Sequence, residues 1–189
     1  MDAIYTPVMK RGRSESVRAS EVTQRYGQAT TQSLQRYCRD EIEFWCRCKR
    51  ASLLHDWIER TPVDILEKRY STTPFQGAVG YGDIMRIVEG TRFHLRSAHQ
   101  ILTALFPDQP EFLARLDDIL RRLEFGLPSN ALALTELPIS LTRGQYLALA
   151  NAGCSVPNDV AALSFECLRD CVGESTAARL GLATSCLDC

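Results

Sequence analysis

Lysine is scarce in this chain: Lys10, Lys49 and Lys68 are the only three among 22 basic residues. Arginine therefore carries almost all of the positive charge, and it stacks on flat groups and forks onto phosphate better than lysine does. A GC-rich coding sequence produces the same bias. An excess of one sign is also missing, since the formal net charge is −1. There is no global attraction to polyanions, so any nucleic-acid site must be local. No apolar run approaches the roughly 20 residues a membrane span needs. Met1 to Ser20 holds no apolar stretch of the kind a secretory leader carries. The expected setting is cytoplasmic, with no membrane partner, and the eight cysteines are then not expected to form structural disulfides.

Catalytic patterns are lacking too. No G-x-x-x-x-G-K-[ST] loop is present to cradle nucleotide phosphates. Gly77-Ala-Val-Gly80-Tyr-Gly82 is glycine-rich but follows no strand, and reads as a flexible loop. His94 and His99 are five apart, off a shared helix face, and no H-E-x-x-H occurs. Asp117 and Asp118 fall on different helix faces and read as solvated. No nucleophile stands beside a base. The expectation is a non-enzyme without cofactor. A four-thiolate zinc site from Cys167, Cys171, Cys186 and Cys189 is the alternative to a small buried Cys171 and a frayed terminal pair, and no metal site is expected.

What is present is helical periodicity in a chain of 189 residues with 45% hydrophobic content. Residues 1–31 read as a polar tail or linker, with a short helical turn at Ser20 to Tyr26. Gln32 to Arg60 reads as one helix, with Leu34, Tyr37, Cys38, Ile42, Trp45, Lys49, Leu53 and Trp57 spaced by three and four. Thr61-Pro62 ends it, because proline cannot continue the hydrogen-bond ladder. A second helix over Val63 to Tyr70 turns Ile65, Leu66 and Tyr70 inward, and 71–82 is a loop.

The helix from Asp83, its expected cap, to Phe106 gathers Ile84, Ile87, Val88, Thr91, Leu95, Ala98, Leu102 and Leu105 on one side at about 100° per residue. Phe93 falls opposite the centre of that stripe, among Arg86, Gly90, Arg96, Ser97 and Gln100. An aromatic there needs either a nucleobase to stack on or a second burial surface.

Gln109 to Phe125 is another amphipathic helix, carrying Phe112, Leu116, Ile119, Leu120 and Leu123 on one side. Beyond Gly126-Leu127-Pro128 the texture changes to short capped helices. The first covers Asn130 to Leu137. Thr142 and Gln145 form a capping box, Asn158 and Ser164 cap two more helices, and Ser175 caps the last. No stretch alternates at period two. The expected fold is all-α: a helical bundle over 32–126, a smaller unit over 127–183, and a tail over 184–189.

Three segments, in order, resemble the C-terminal part of the Ski-two-like DNA-repair helicases, the archaeal fork-remodelling group in particular. Lys49-Arg-Ala-Ser-Leu-Leu-His-Asp-Trp-Ile-Glu59 with Ile65-Leu-Glu-Lys-Arg-Tyr70 resembles the start of that family's ratchet domain. Gly82-Asp83-Ile84, Arg86-Ile-Val-Glu89, Phe93 and Ser97-Ala98 resemble its ratchet helix. Leu137 to Gly153, followed by Asp159-Val160 and Leu168 to Gly173, resembles its helix-hairpin-helix unit. The likeness covers roughly residues 37 to 180 at the level of pattern.

The resemblance implies a ratchet-like bundle that grips single-stranded or branched DNA. Arg86 and Phe93 take the positions of the family's strand-contacting arginine and tryptophan, and Arg96 and Gln100 share their face. Thr142, Arg143, Gly144 and Gln145 would meet backbone phosphate at a helix start. This sequence holds neither the family's two nucleotide-binding domains nor its winged helix. The implied role is thus an accessory module or subunit of a helicase, in repair or in defence: either an excised piece whose partners are the missing motor domains, or a separate subunit beside a helicase motor. The rival is a scaffold docking onto a helicase or nuclease partner, which the near-neutral charge and the acidic lean after Arg143 favour.

Overall fold

The computed structural model describes residues 19–71 and 78–185. Among them the chain is all-α, with no strand. Packing separates it into two units. One runs through Trp57 and resumes over Thr61–His94; the other holds Ile58–Arg60 and continues from Leu95. The expected boundary at Gly126 falls inside the second.

In the first unit, α1 (Ala19–Tyr26) and α2 (Gln28–Arg36) precede α3 (Glu41–Ile58), α4 (Val63–Tyr70) and the start of α5 (Tyr81–Leu105). The helical turn expected at Ser20 to Tyr26 is α1, whereas the start of α2 falls in the segment read as tail. Val22 of α1 is buried, Arg25 Nη1 donates to Asp56 Oδ1 at 3.2 Å, and Tyr26 and Ser52 hydroxyls meet at 3.1 Å.

The helix expected over Gln32 to Arg60 is two helices. Asp40 Oδ1 accepts the Glu43 N–H at 2.7 Å, while Glu43 Oε2 accepts the Arg39 N–H at 2.8 Å. This reciprocal capping starts α3 afresh at Glu41. Tyr37 therefore lies at the end of α2, 77% exposed, instead of facing inward. Beyond the break the pattern holds, since Trp45, Lys49, Leu53 and Trp57 are buried. Cys46, Cys48, Ser52 and Asp56 are buried as well, so α3 is covered around most of its circumference.

Asp56 joins three helices. Its Oδ2 accepts from Tyr70 Oη at 2.8 Å and from Arg69 Nη1 at 2.6 Å, with Arg25 on Oδ1. A buried carboxylate is tolerable when its lone pairs are filled by donors in this way. On α4, Leu66 and Tyr70 are buried as expected, whereas Ile65 is exposed. Of the loop expected over 71–82, residues 72–77 lie outside the described residues, and Tyr81 and Gly82 are already helical.

The second unit carries the rest of α5, then α6 (Pro110–Phe125), a 3₁₀ helix (Ser129–Glu136), α7 (Arg143–Asn151), α8 (Pro157–Ala161), α9 (Phe165–Val172) and α10 (Glu174–Ser185). Its core gathers Leu127, Leu134, Leu149, Val160, Leu168 and Leu180 from all of these but α5 and α6. Each such leucine contributes about 1.5–3 kcal/mol through burial.

Two caps read from sequence are present: Thr142 with Gln145, and Ser164 accepting the Cys167 N–H at 3.3 Å. Two are displaced. α8 begins at Pro157, and it is Asp159, not Asn158, whose carboxylate takes the Ser155 and Val156 N–H groups. α10 begins at Glu174, one residue before Ser175. Its predecessor Gly173 has φ 84° and ψ 155°, a conformation essentially confined to glycine.

Arg60, just after α3, holds a left-handed φ of 69°. Its guanidinium donates to Asn151 at 3.2 Å and Asn130 at 3.1 Å, which fixes this unfavourable backbone in place.

Candidate nucleic-acid interface

α5 begins two residues earlier than Asp83. Asp83 sits at its third position, and its carboxylate reaches back to the Gly80 N–H at 3.0 Å. Asp83 thus caps the helix from inside it, the reciprocal half of a capping box.

The inward stripe is buried at Ile84, Ile87 and Val88. It fades along the helix: Thr91, Leu95, Ala98 and Leu102 are half-buried, and Leu105 is exposed. Arg92 is buried on the flank of the stripe, and its Nη1 donates to Glu89 Oε1 at 2.9 Å. Its spacing of four from Val88 and eight from Ile84 is the signal that places it there.

Phe93 is 67% exposed, and its ring meets His94 edge-on at 5.5 Å between centroids. Arg86, two turns earlier, is exposed, and its Nη2 donates to Asp83 Oδ1 at 2.9 Å. Arg86 and Phe93 belong to the first unit. Arg96 and Gln100 are exposed too, in the second. Two carboxylates missing from the expected face, Asp83 and Glu89, accompany Arg86 and Phe93; each is matched by an arginine, Arg86 and Arg92.

The α7 start is otherwise engaged. Gln145 Oε1 accepts the Thr142 N–H at 2.9 Å, and its Nε2 donates to the Val172 carbonyl at 2.7 Å and to Thr176 at 3.3 Å. Arg143 Nε donates to the Gly126 carbonyl at 2.8 Å. Gly144 is exposed. Arg143 and Gln145 thus tie α7 to its own unit, and Thr142 is engaged in the cap.

Among the described residues, no group of three or more metal-ligating side chains occurs. Burial pushes the Cys171 thiol up, which favours the protonated form over a thiolate ligand. Cys186 and Cys189 lie outside the described residues. Asp118 is not simply solvated, since it accepts from Ser129 Oγ at 3.0 Å, and Asp117 lies 3.3 Å from His99 Nε2. No helix among the described residues is long and apolar enough to cross a membrane.

No protein-family model matches the chain, and no curated protein matches it significantly.

Proposed function

We propose that the chain is an accessory module that grips single-stranded DNA through the outer face of α5, with Phe93 stacking on a base and Arg86 meeting an adjacent phosphate. The observation that carries this reading is the exposure of Phe93 on a helix whose opposite face is buried at Ile84, Ile87 and Val88. The Arg86–Asp83 pair is exposed, and pairs of this kind contribute about 0–1 kcal/mol. A phosphate oxygen can therefore take the place of Asp83 at little cost. Stacking on one aromatic contributes about 1–3 kcal/mol per base, which alone gives weak binding. In this reading the module holds a strand and leaves its movement to a motor. Beside a helicase motor it would act as a pawl between ATP-driven steps.

Fluorescence anisotropy with a labelled oligonucleotide at low salt tests this. The wild type should bind, Phe93→Ala should weaken binding by about five-fold or more, and Arg86→Ala should also lower the salt dependence. Absence of wild-type binding, or unchanged binding by the double variant, overturns the proposal. The near-neutral charge favours docking of a protein on the same ridge as the second reading, and that outcome would leave oligonucleotide binding absent.

A further inference from the structure

The exposed large hydrophobic residues concentrate at the junction of α5 and α6. Ile101, Leu105, Phe106, Phe112 and Ile119 are between 37 and 65% exposed, within a stretch of the second unit that supplies nothing to its core. Single exposed apolar residues are ordinary, but five within residues 101–119 mark a contact surface. Two concavities on α6 meet at Arg115: one lies against Asp108, Glu111 and Phe112, the other against Ala114, Asp118 and Ile119.

The charges around this surface choose the partner. Asp108 and Glu111 are exposed and line the concavity that holds Phe112 and Arg115, two carboxylates to one guanidinium, while Asp117 is engaged by His99. Further along α6, Arg121 and Arg122 each face a carboxylate of the same unit, Glu136 and Glu59, and so add no net charge to the rim. The rim is therefore acidic, which repels nucleic acid and attracts a basic surface. A second copy of this chain would bring the same acidic rim against itself in a two-fold contact.

We infer that the α5–α6 junction docks a basic amphipathic helix of another protein. Its aliphatic or aromatic anchors, spaced by three and four residues, would cover Ile101, Leu105, Phe112 and Ile119, and its lysines or arginines would face Asp108 and Glu111. The site shares no residue with the Arg86 and Phe93 ridge, so Phe93→Ala leaves it intact.

The probes are two synthetic amphipathic helices with the same leucine stripe, one with lysine and one with glutamate on the polar face. Anisotropy and amide chemical shifts are read on the full chain. The lysine helix should bind, with shifts concentrated between residues 99 and 119. Phe112→Glu should weaken it about ten-fold or more. Asp108→Lys with Glu111→Lys, which keeps the apolar surface and reverses the rim, should transfer the preference to the glutamate helix. Circular dichroism confirms that each variant is folded. No binding, equal binding of both helices, or shifts lying elsewhere overturns the inference. So does concentration-dependent dimerisation abolished by Phe112→Glu, because a second copy would then be the occupant.

Discussion

Arg92 and Phe93 are neighbours in sequence and opposites in burial, at 6% and 67% exposed. The hydrophobic residue faces out and the charged one lies in. Arg92 covers apolar surface with its stem while its guanidinium reaches Glu89 at the rim. Phe93 is left on a face that its own unit does not bury.

This inversion gives a stability prediction opposite to residue type. Arg92→Ala should destabilise by about 1–3 kcal/mol through lost packing, whereas Phe93→Ala should stay within about 0.5 kcal/mol. Urea denaturation followed by circular dichroism measures both. A larger loss for Phe93→Ala would mean that its ring is part of the core.

Asp56 and Tyr70 predict an alkaline weakness. Burial first, then the Asp56 carboxylate, push the Tyr70 hydroxyl well above its ordinary value of 10.0. The contribution of Tyr70 is complete below pH 10 and declines above it, because the unfolded tyrosine releases its proton there while the folded one keeps it. Tyr70→Phe should cost about 1.5–3 kcal/mol at neutral pH, as Asp56 loses a donor. It should also flatten the fall in stability above pH 10. An equally steep alkaline limb in the variant would assign that limb to other groups.

Glu43 predicts an acid transition at the start of α3. The Arg39 backbone N–H, then the Arg47 and Arg39 side chains, hold its carboxyl down at about 2, from an ordinary 4.5. A depressed value means that the cap contributes above pH 4.5 and is lost as pH falls through about 2. Carboxyl carbon shifts should show the low midpoint, and Glu43→Gln should remove that step from the acid titration of helicity. A midpoint near 4.5 would mean that the Asp40–Glu43 box is open in solution.

Gln145 separates capping from cohesion in the second unit. Thr142→Ala removes one half of the box and should cost about 1 kcal/mol. Gln145→Glu keeps an acceptor for the Thr142 N–H but sets a carboxylate oxygen against the Val172 carbonyl, at an expected cost of about 1–3 kcal/mol. Thermal melts of the two variants give the comparison. A neutral Gln145→Glu would show that the link from α7 to α9 contributes nothing.

Period and punctuation were legible where one local signal acts without a competitor. The Thr142–Gln145 and Ser164 caps rest on side chains within a few residues of the N–H groups they serve, the α4 start on Pro62, and the stop at Gly173 on a φ of 84° that glycine adopts freely. Competing signals misled. The apolar spacing across Leu34, Tyr37 and Cys38 hid the Asp40–Glu43 box, and a cap that satisfies orphan N–H groups outweighs a continued stripe. Of the candidate site, the outward Phe93 and Arg86 were readable from the wheel. The internal bonds of Arg143 and Gln145 were not, because their partners, Gly126 and Val172, are distant in sequence.

The sequence by itself determined an all-α chain, where most of its helices begin and end, and which face of α5 opposes its core. These follow from 3.6-residue periodicity and from caps, both local in sequence. Only the tertiary structure decided that Asp56 would collect donors from α1 and α4, that Arg92 would be buried, and that the α5–α6 junction would stay uncovered. Those outcomes depend on which distant segment fills the space beside each residue, and helical spacing says how a face points but not what meets it.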